Sequence, residues 1–299
     1  MKPAPFDYAV PGTVAEALAL LRDRDHEEPR LLAGGQSLVP LLNMRFARPS
    51  LLVDLNGVEE LGGIELADGR VQIGAMVRQR RLETDAAIRG QLPLLAEATA
   101  HIAHLAIRTR GTVGGSLAHA DPAAELPAAM LALEARLLVR RPDGGTRTLS
   151  AAEFFLGPFT TALEADQVLA AVELDLPPPR TGSAFLEVSR VHGAFALAGA
   201  AALVTIAGDG SVSRARLALC GVGGAPYGAT WLDELRREGH AGYPKMMSIG
   251  LHPRWAGQAG RTSALRELIE YGLAQGDVWF ARRIDIANWW LAHHEEFER

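Results

Sequence analysis

The stretch Leu32-Ala33-Gly34-Gly35-Gln36-Ser37-Leu38 is a tight diglycine loop, and the chain repeats the pattern at Thr112-Val113-Gly114-Gly115-Ser116-Leu117. Glycine pairs accept positive φ angles and let main-chain N–H groups approach a ligand with no Cβ in the way. Successive N–H groups in such turns form a concavity that binds anions. Two such loops therefore predict two clamps on one large, phosphate-bearing ligand, whereas the alternative is a pair of ordinary strand-ending turns.

Neither loop fits the better-known phosphate-binding motifs. The sequence contains neither the GxxxxGK[ST] pattern of a Walker-type loop nor a GxGxxG pattern that opens a helix. The two loops therefore predict a different mode of phosphate binding.

Both loops resemble the flavin-binding loops of a known family. The segments Leu32–Leu38 and Arg108–Ser116, the second continuing through Ala118-His119-Ala120-Asp121-Pro122, resemble those of the medium, FAD-binding subunit of molybdenum hydroxylases, the xanthine dehydrogenase and carbon monoxide dehydrogenase family. The resemblance runs from Met1 to about Pro226. It implies an α+β, two-lobed FAD-binding fold of the PCMH/vanillyl-alcohol-oxidase type, followed by a truncated α+β C-terminal domain and a helical tail.

The resemblance also implies which residues bind FAD. The first loop would wrap the pyrophosphate and the second would hold it from the other side, while Asp121 would bind a sugar or ribityl hydroxyl. His119 would lie close to the flavin, and Phe195 would cover the isoalloxazine face. The implied residues are Ala33, Gly34, Gly35, Gln36, Ser37, Leu38, Thr112, Gly114, Gly115, Ser116, His119, Asp121 and Phe195.

Several of these positions have a second interpretation. Asp121-Pro122 is also a helix-start signal, with Asp as N-cap before Pro at the first helical position. Arg108 and Arg110 either face the diphosphate or, the interpretation we favour, have a solvated or structural role. Where the family commonly has Arg-Arg-x-Gly-Asp-Phe/Tyr-Ala, this chain has Arg190-Val191-His192-Gly193-Ala194-Phe195-Ala196, so the apolar Val191 and Ala194 put the environment of the flavin ring in doubt.

Composition excludes several classes of protein. The 299 residues suffice for two or more domains, and 48% apolar with 22% charged residues is ordinary for a globular protein. A net charge of −5 without a basic block argues against a nucleic-acid partner. Cys220 is the only cysteine, so the chain can neither form an intrachain disulfide nor hold an iron–sulfur cluster by itself. No apolar signal segment or membrane-spanning run of roughly 18 residues is found, which favours the cytoplasm.

The order of predicted elements divides the chain into four parts. A strand–helix–strand unit at 1–55 forms the first FAD-binding lobe, and 56–176 forms the second, with a Pro142-Asp143-Gly144-Gly145 hairpin. The segment 180–226 begins a flavoprotein C-terminal domain, after the triple proline at Pro177-Pro178-Pro179. One long helix is predicted over Leu92–Ile107; it would place His101 and His104 on one face, although with no carboxylate partner for a metal site.

The fourth part, 227–299, resembles a different family. Between about Trp231 and Glu296 the sequence is similar to the C-terminal end of polysaccharide-deacetylase-like hydrolases of the allantoinase type, notably at Tyr243–His252 and Val278–Trp290. His252 matches a catalytic histidine of that family, whose metal-binding and base-supplying motifs are absent from this chain. We interpret the chain as a join between two unrelated genes, both truncated at the junction, and expect no hydrolase activity.

The expected function follows from the first resemblance. The chain would be an FAD-binding electron-transfer subunit of a molybdenum hydroxylase, passing electrons from iron–sulfur clusters to an external acceptor. Its partners would be an iron–sulfur small subunit and a molybdopterin large subunit, and it would not oxidise the organic substrate alone. The alternatives are an inactive fusion product with a structural role, and a deacetylase-like hydrolase.

Overall fold

Three larger β-sheets and one two-stranded sheet make up the described part of the chain, and the helices lie between the strands of the first two larger sheets. The computed structural model describes residues 2–23, 25–222 and the main chain of residues 227–228. All of these lie within one compact unit, Met1–Ala229. The predicted C-terminal tail lies outside the described residues.

The first sheet is small and parallel, with the strand order β1-β3-β2. Its elements are β1 (Asp7–Ala9), α1 (Val14–Leu21), β2 (Arg30–Leu32), α2 (Leu38–Asn43) and β3 (Leu51–Asp54). The Thr13 hydroxyl caps α1 by accepting a hydrogen bond from Glu16 N at 3.1 Å. The Glu16 carboxylate accepts a hydrogen bond from Gly12 N at 2.7 Å. In a capping box it would accept from the N-cap residue Thr13 instead. The apolar face of α1 packs on β3 in a core of its own.

The second sheet is antiparallel, with the strand order β4-β5-β10-β6-β7. Its strands and the elements between them are β4 (Ile64–Ala67), β5 (Arg70–Gly74), α3 (Gln79–Thr84), α4 (Ala86–Gln91), α5 (Pro93–His101), α6 (Leu105–Arg110), α7 (Val113–His119), α8 (Glu125–Ala132), β6 (Arg136–Arg140), β7 (Thr146–Ser150), α9 (Ala151–Phe154), β8 (Phe155–Gly157), β9 (Thr160–Thr161) and β10 (Val168–Asp175). The central strand β10 lies between β5 and β6 and is apolar over most of its length, because both of its faces are buried. Leu169, Val172 and Leu174 lie in one core, and Val168 lies in the core of the first lobe. The predicted hairpin at Pro142–Gly145 is confirmed: Gly144 has φ 80° and donates to Arg141 O at 3.0 Å.

The third sheet consists of β11 (Thr181–Ser189), β12 (Ala196–Ile206), β13 (Val212–Cys220) and β14 (Tyr227–Gly228), in sequential antiparallel order. Helices α5 and α8 pack against it. Phe185, Ala201 and Ala218 are buried in the same apolar core as the second sheet. The third sheet is therefore joined to the second lobe by a continuous core.

Three predicted elements differ from the structure. The helix predicted over Leu92–Ile107 is interrupted, because Ile102 is extended and Ala103 has φ 40°. His101 therefore ends α5, while His104 precedes α6, and the predicted single face for the two imidazoles is wrong. The second diglycine loop is not a loop throughout, since Gly114 and Gly115 lie in the first turn of α7. The third is α8, which begins at Glu125 rather than at Pro122, so Asp121 is not its N-cap.

No helix in the described part of the chain is long and apolar enough to cross a membrane. The cytoplasmic location and the four-part division of the chain stay predictions.

Candidate functional site

The first diglycine loop lies between the end of β2 and the start of α2, pressed against the segment that leads into the second. A Cβ atom at Gly34 would lie 2.5 Å from Arg110 O and 2.7 Å from Gly111 Cα. Gly35 has φ 72°, a conformation that residues with a side chain rarely adopt. Both glycines are therefore required, Gly34 by close approach and Gly35 by backbone conformation.

The second diglycine pair is held by equally close contacts. Thr112 caps α7, its hydroxyl accepting from Gly115 N at 3.1 Å, and Gly114 N donates to Ala75 O at 2.8 Å. A Cβ at Gly114 would lie 2.5 Å from Ala75 Cβ, and one at Gly115 would lie 3.4 Å from Ala33 Cβ. The two predicted loops, far apart in sequence, therefore meet in the structure.

Two side chains tie the loops together. Asn56 Nδ2 donates to Ala33 O at 3.1 Å, and its Oδ1 accepts from Arg78 Nη2 at 2.6 Å. Arg78 Nη1 donates to Arg110 O, in the approach to the second loop. Asp54 holds Asn56 in place by accepting from its main-chain N at 2.9 Å. The chain Ala33–Asn56–Arg78–Arg110 thus fixes the distance between the loops.

Sequence reasoning missed this tie. One signal for Asn56 existed: it follows the end of β3, as Ala33 follows the end of its neighbour β2. Ligands of parallel sheets bind beyond the carboxyl ends of the strands, where such residues meet. Arg78 carried no such signal, because its position depends on how the second lobe packs against the first.

The two loops differ in the donors that they offer. Within the described residues, the main-chain N–H groups of Gly34, Gly35, Gln36 and Ser37 have no acceptor, whereas Gly114 N and Gly115 N already donate to the protein. Unpaired, adjacent N–H groups are suited to the oxygens of a pyrophosphate. Two arginines add positive charge nearby, since Arg78 donates to Arg110 O and an arginine stays protonated in proteins. Burial and the neighbouring Arg110 lower the pKa of Arg78 from its ordinary value. The residues present therefore fit a dinucleotide, and the first loop offers more unpaired N–H groups than the second.

The remaining predicted residues lie outside the contact between the two glycine segments. Asp121 Oδ1 accepts from Ala123 N at 2.9 Å in a turn that precedes α8. His119 is at the far end of α7 from the glycine pair, and its ring lies against Phe159 with the ring centroids 5.1 Å apart. Phe195 precedes β12 with 74% of its surface exposed. Leu38 begins α2, directly after the first loop.

Arg108 has the structural role that we favoured. It is buried, donates to Ile102 O at 2.7 Å and Ala103 O at 3.1 Å, and pairs with Glu83 at 2.9 Å. The interrupted end of α5 therefore depends on this guanidinium. Cys220 is also structural: it is fully buried, and burial raises the pKa of its thiol to about 12.

Beyond the second loop lie two buried carboxyl groups that sequence analysis did not single out as a pair. Glu125 opens α8, and burial together with the negative charge of Glu187 raises its pKa to about 8. Burial also raises the pKa of Glu187, which lies in β11.

Comparison with known proteins gives a consistent result. The model of the FAD binding domain in molybdopterin dehydrogenase matches residues 4–177. The chain is 42% identical over 226 residues to the caffeine dehydrogenase subunit beta of Pseudomonas sp. (strain CBB1), covering 76% of each chain. It is 46% identical over 223 residues to the 6-hydroxypseudooxynicotine dehydrogenase complex subunit alpha of Paenarthrobacter nicotinovorans, covering 75% of each.

A third relative is known in sequence and in structure. The chain is 40% identical over 239 residues to the carbon monoxide dehydrogenase medium chain of Hydrogenophaga pseudoflava, covering 80% of this chain and 79% of that one. A solved structure of the carbon monoxide dehydrogenase from this organism superposes with a TM-score of 0.75 at 39% identity, covering 79% of this chain and 81% of that one. The α+β FAD-binding fold that the family resemblance implies is thereby confirmed.

Proposed function

Because the chain belongs to the family of FAD-binding domains of molybdopterin dehydrogenases, we propose that it is the flavin subunit of a larger hydroxylase complex. It is an FAD-binding electron-transfer subunit of the oxidoreductase class, as the first resemblance implied. The observation that carries the proposed site is the meeting of the two glycine segments, with the N–H groups of the first left unpaired.

When bound, FAD supplies the two-electron chemistry that takes electrons from iron–sulfur clusters and gives them to an external acceptor. The protein binds and orients it. The N–H groups of Gly34 to Ser37 would bind the pyrophosphate, while Ala33 and Leu38 shape the two ends of that loop. Gln36 holds the loop by donating from Nε2 to Gly34 O at 2.8 Å.

The second segment would contribute to FAD binding mainly through its shape, because the N–H groups of Gly114 and Gly115 already donate within the protein. Thr112 and Gly114 fix the start of α7 against Ala75, and Gly115 leaves room beside Ala33. Ser116 is half-buried beside this cleft and would add a hydroxyl to it.

Three further roles complete the proposed site. Asp121 uses Oδ1 within the protein, which leaves Oδ2 for a sugar or ribityl hydroxyl. The exposed ring of Phe195 would cover the flavin, and His119 would support that region through its contact with Phe159.

The partners follow from what this chain lacks. Its single cysteine cannot hold an iron–sulfur cluster. The described residues contain no group of three or more His, Cys, Asp or Glu able to bind a metal. An iron–sulfur small subunit and a molybdopterin large subunit would therefore supply the clusters and oxidise the organic substrate.

We also propose that residues 227–299 are a hydrolase-like fragment without activity, joined to a truncated flavoprotein domain. The support is the sequence resemblance, together with the matches to the relatives, which cover about three quarters of each chain. Removing residues 230–299 is expected to leave FAD retention unchanged. A marked loss of FAD would show that the segment belongs to the flavin subunit.

The flavin assignment is tested with the purified chain. We expect the visible absorption of oxidised flavin, or its appearance when FAD is added to colourless protein. Because the unpaired N–H groups are assigned to the pyrophosphate, riboflavin is expected to bind at least about a hundredfold more weakly, equivalent to about 2.8 kcal/mol. A chain that stays colourless with FAD would favour the inactive fusion product, and equal affinity for riboflavin would refute the role of the first loop.

A further inference from the structure

Where the third sheet packs on the second lobe, two glutamates lie in a buried place without an Arg or Lys partner among the described residues. Glu125 is 7% exposed, and the side chain of Glu187 is 3% exposed. Glu187 Oε2 has no hydrogen-bond partner, and neither carboxyl group forms an ion pair with Arg or Lys in the described part of the chain. Such an arrangement disfavours ionisation of both groups.

The surroundings do not supply the missing positive charge. From α5, Glu97 accepts a hydrogen bond from Phe185 N at 3.1 Å, and His101 Nδ1 lies 4.0 Å from Glu187 Oε2, too far for a hydrogen bond. The other titratable groups that face the pair are Asp121 before α8, Cys220 in β13 and His192 after β11. Of these surrounding groups, only the histidines can carry a positive charge.

A proton resolves this conflict. The two carboxyl groups are within hydrogen-bonding reach of each other, but carboxylate oxygens only accept, so a bond between them needs one proton. Burial and the negative charge of Glu187 hold that proton on Glu125 up to a pKa of about 8.

We propose that Glu187 is a positioning residue of the flavin site: it shares one proton with Glu125 and thereby joins the segment after the second glycine pair to the third sheet. A second contact supports the same junction, since Gly221 N donates to Pro122 O at 2.8 Å. Pro122 lies between Asp121 and Glu125, so a shift of the pair is transmitted to a residue assigned to FAD. The inference rests on the proposed function for its effect on FAD, but not for the shared proton itself.

Infrared spectroscopy tests the shared proton directly. At about pH 7 the wild-type chain is expected to show the C=O band of a buried protonated carboxyl group, lost as the pH rises through about 8. Glu125→Gln should remove the band, since the shared proton is held on Glu125. Glu187→Gln should make the band disappear at a lower pH, because burial still raises the pKa of Glu125 but the negative charge of Glu187 no longer does. Glu134→Gln is the matched control, because Glu134 lies just beyond the other end of α8 and pairs with Arg214 and Arg216 on the exposed surface; it should keep the band.

The effect on the flavin site is measured by FAD titration of the same proteins. Between about pH 7 and about pH 9 the Kd of the wild type is expected to rise about tenfold, the equivalent of one pKa unit. In Glu187→Gln this pH dependence should be lost, because the glutamine amide donates a hydrogen bond at any pH. The Glu134→Gln control should behave as wild type.

The outcomes separate the two proposals. A wild-type spectrum without the band, or a band whose pH dependence is unchanged in both glutamine variants, overturns the shared proton even if FAD binds normally. A band without any FAD binding supports the pair and refutes the proposed function. A band together with a pH-independent Kd overturns the positioning role. The wild-type spectrum decides the first question even if a variant fails to fold.

Discussion

Replacing Gly34 with alanine tests whether the two glycine segments form one site. The added Cβ would lie 2.5 Å from Arg110 O and 2.7 Å from Gly111 Cα. Carbon atoms at optimal separation are about 3.5–4.0 Å apart, so one segment must move by roughly an ångström. Both obstructing atoms belong to the main chain, and no change of rotamer relieves the clash. Overpacking of this kind costs about 1–3 kcal/mol.

The displacement should weaken FAD binding. Moving the first loop takes the N–H groups of Gly34 to Ser37 out of their common orientation, and moving the second strains the tie through Asn56 and Arg78. If about 1.4 to 2.8 kcal/mol of the cost falls on the bound state, the Kd for FAD rises about tenfold to a hundredfold. Titration of FAD into colourless protein, followed by flavin fluorescence, measures this change.

Gly90→Ala is the matched control. Gly90 lies in α4, and a Cβ there meets nothing within 4 Å. Alanine is about 1 kcal/mol more favourable than glycine in a helix, so this variant should be at least as stable as wild type and bind FAD equally well. A folded Gly34→Ala protein with wild-type affinity would refute the argument that the two segments close on one ligand.

Three other perturbations test the surroundings of the site. Arg78→Met removes the tie between the loops and should weaken FAD binding by about tenfold, or about 1.4 kcal/mol; Arg147→Gln, which breaks only an exposed pair, should leave the Kd unchanged. The folded-state pKa of Glu125 is raised to about 8, so the folded chain binds the proton more tightly than the unfolded chain, and the free energy of unfolding should fall as the pH rises from 4.5 to about 8. Urea unfolding should show a loss of at least about 1.4 kcal/mol over that range, one pKa unit, and a decline equally steep in Glu125→Gln would contradict this origin. Arg108→Met leaves Glu83 without its main partner and should cost about 3 kcal/mol, at the low end for a broken buried ion pair; a change below about 1 kcal/mol in urea unfolding would show that the pair is dispensable.

The parts of the fold and site that sequence predicts are the parts fixed by local chemistry. The first loop was predictable because Gly35 needs a positive φ, and the hairpin at Pro142–Gly145 because its turn residues are specific. Thr112 is different, because it caps a helix that has two glycines in its first turn. Glycine is unfavourable there, but Ala75 and Ala33 leave no room for a side chain. Helix propensity alone therefore predicts a loop at Gly114 and Gly115.

The remaining features depend on contacts between distant segments. The break after His101 follows from Arg108, which binds the freed carbonyl groups of Ile102 and Ala103, and the Ala- and Leu-rich sequence gives no sign of it. The pair of Glu125 and Glu187 is equally invisible, since each glutamate alone is an ordinary residue in a helix or a strand. Only the packing of β11 on the second lobe makes them a buried pair.

The close approach of Gly34 to Arg110 and Gly111 also bears on biogenesis. A nascent chain that has emerged from the ribosome only as far as α2 has its first loop but not the main-chain wall that shapes it. The cleft comes into being when α6 and α7 have been synthesised and have docked. If FAD binds in this cleft as proposed, its loading waits until translation has passed the second glycine pair, and a ribosome stalled before that point would carry a chain without the assembled site.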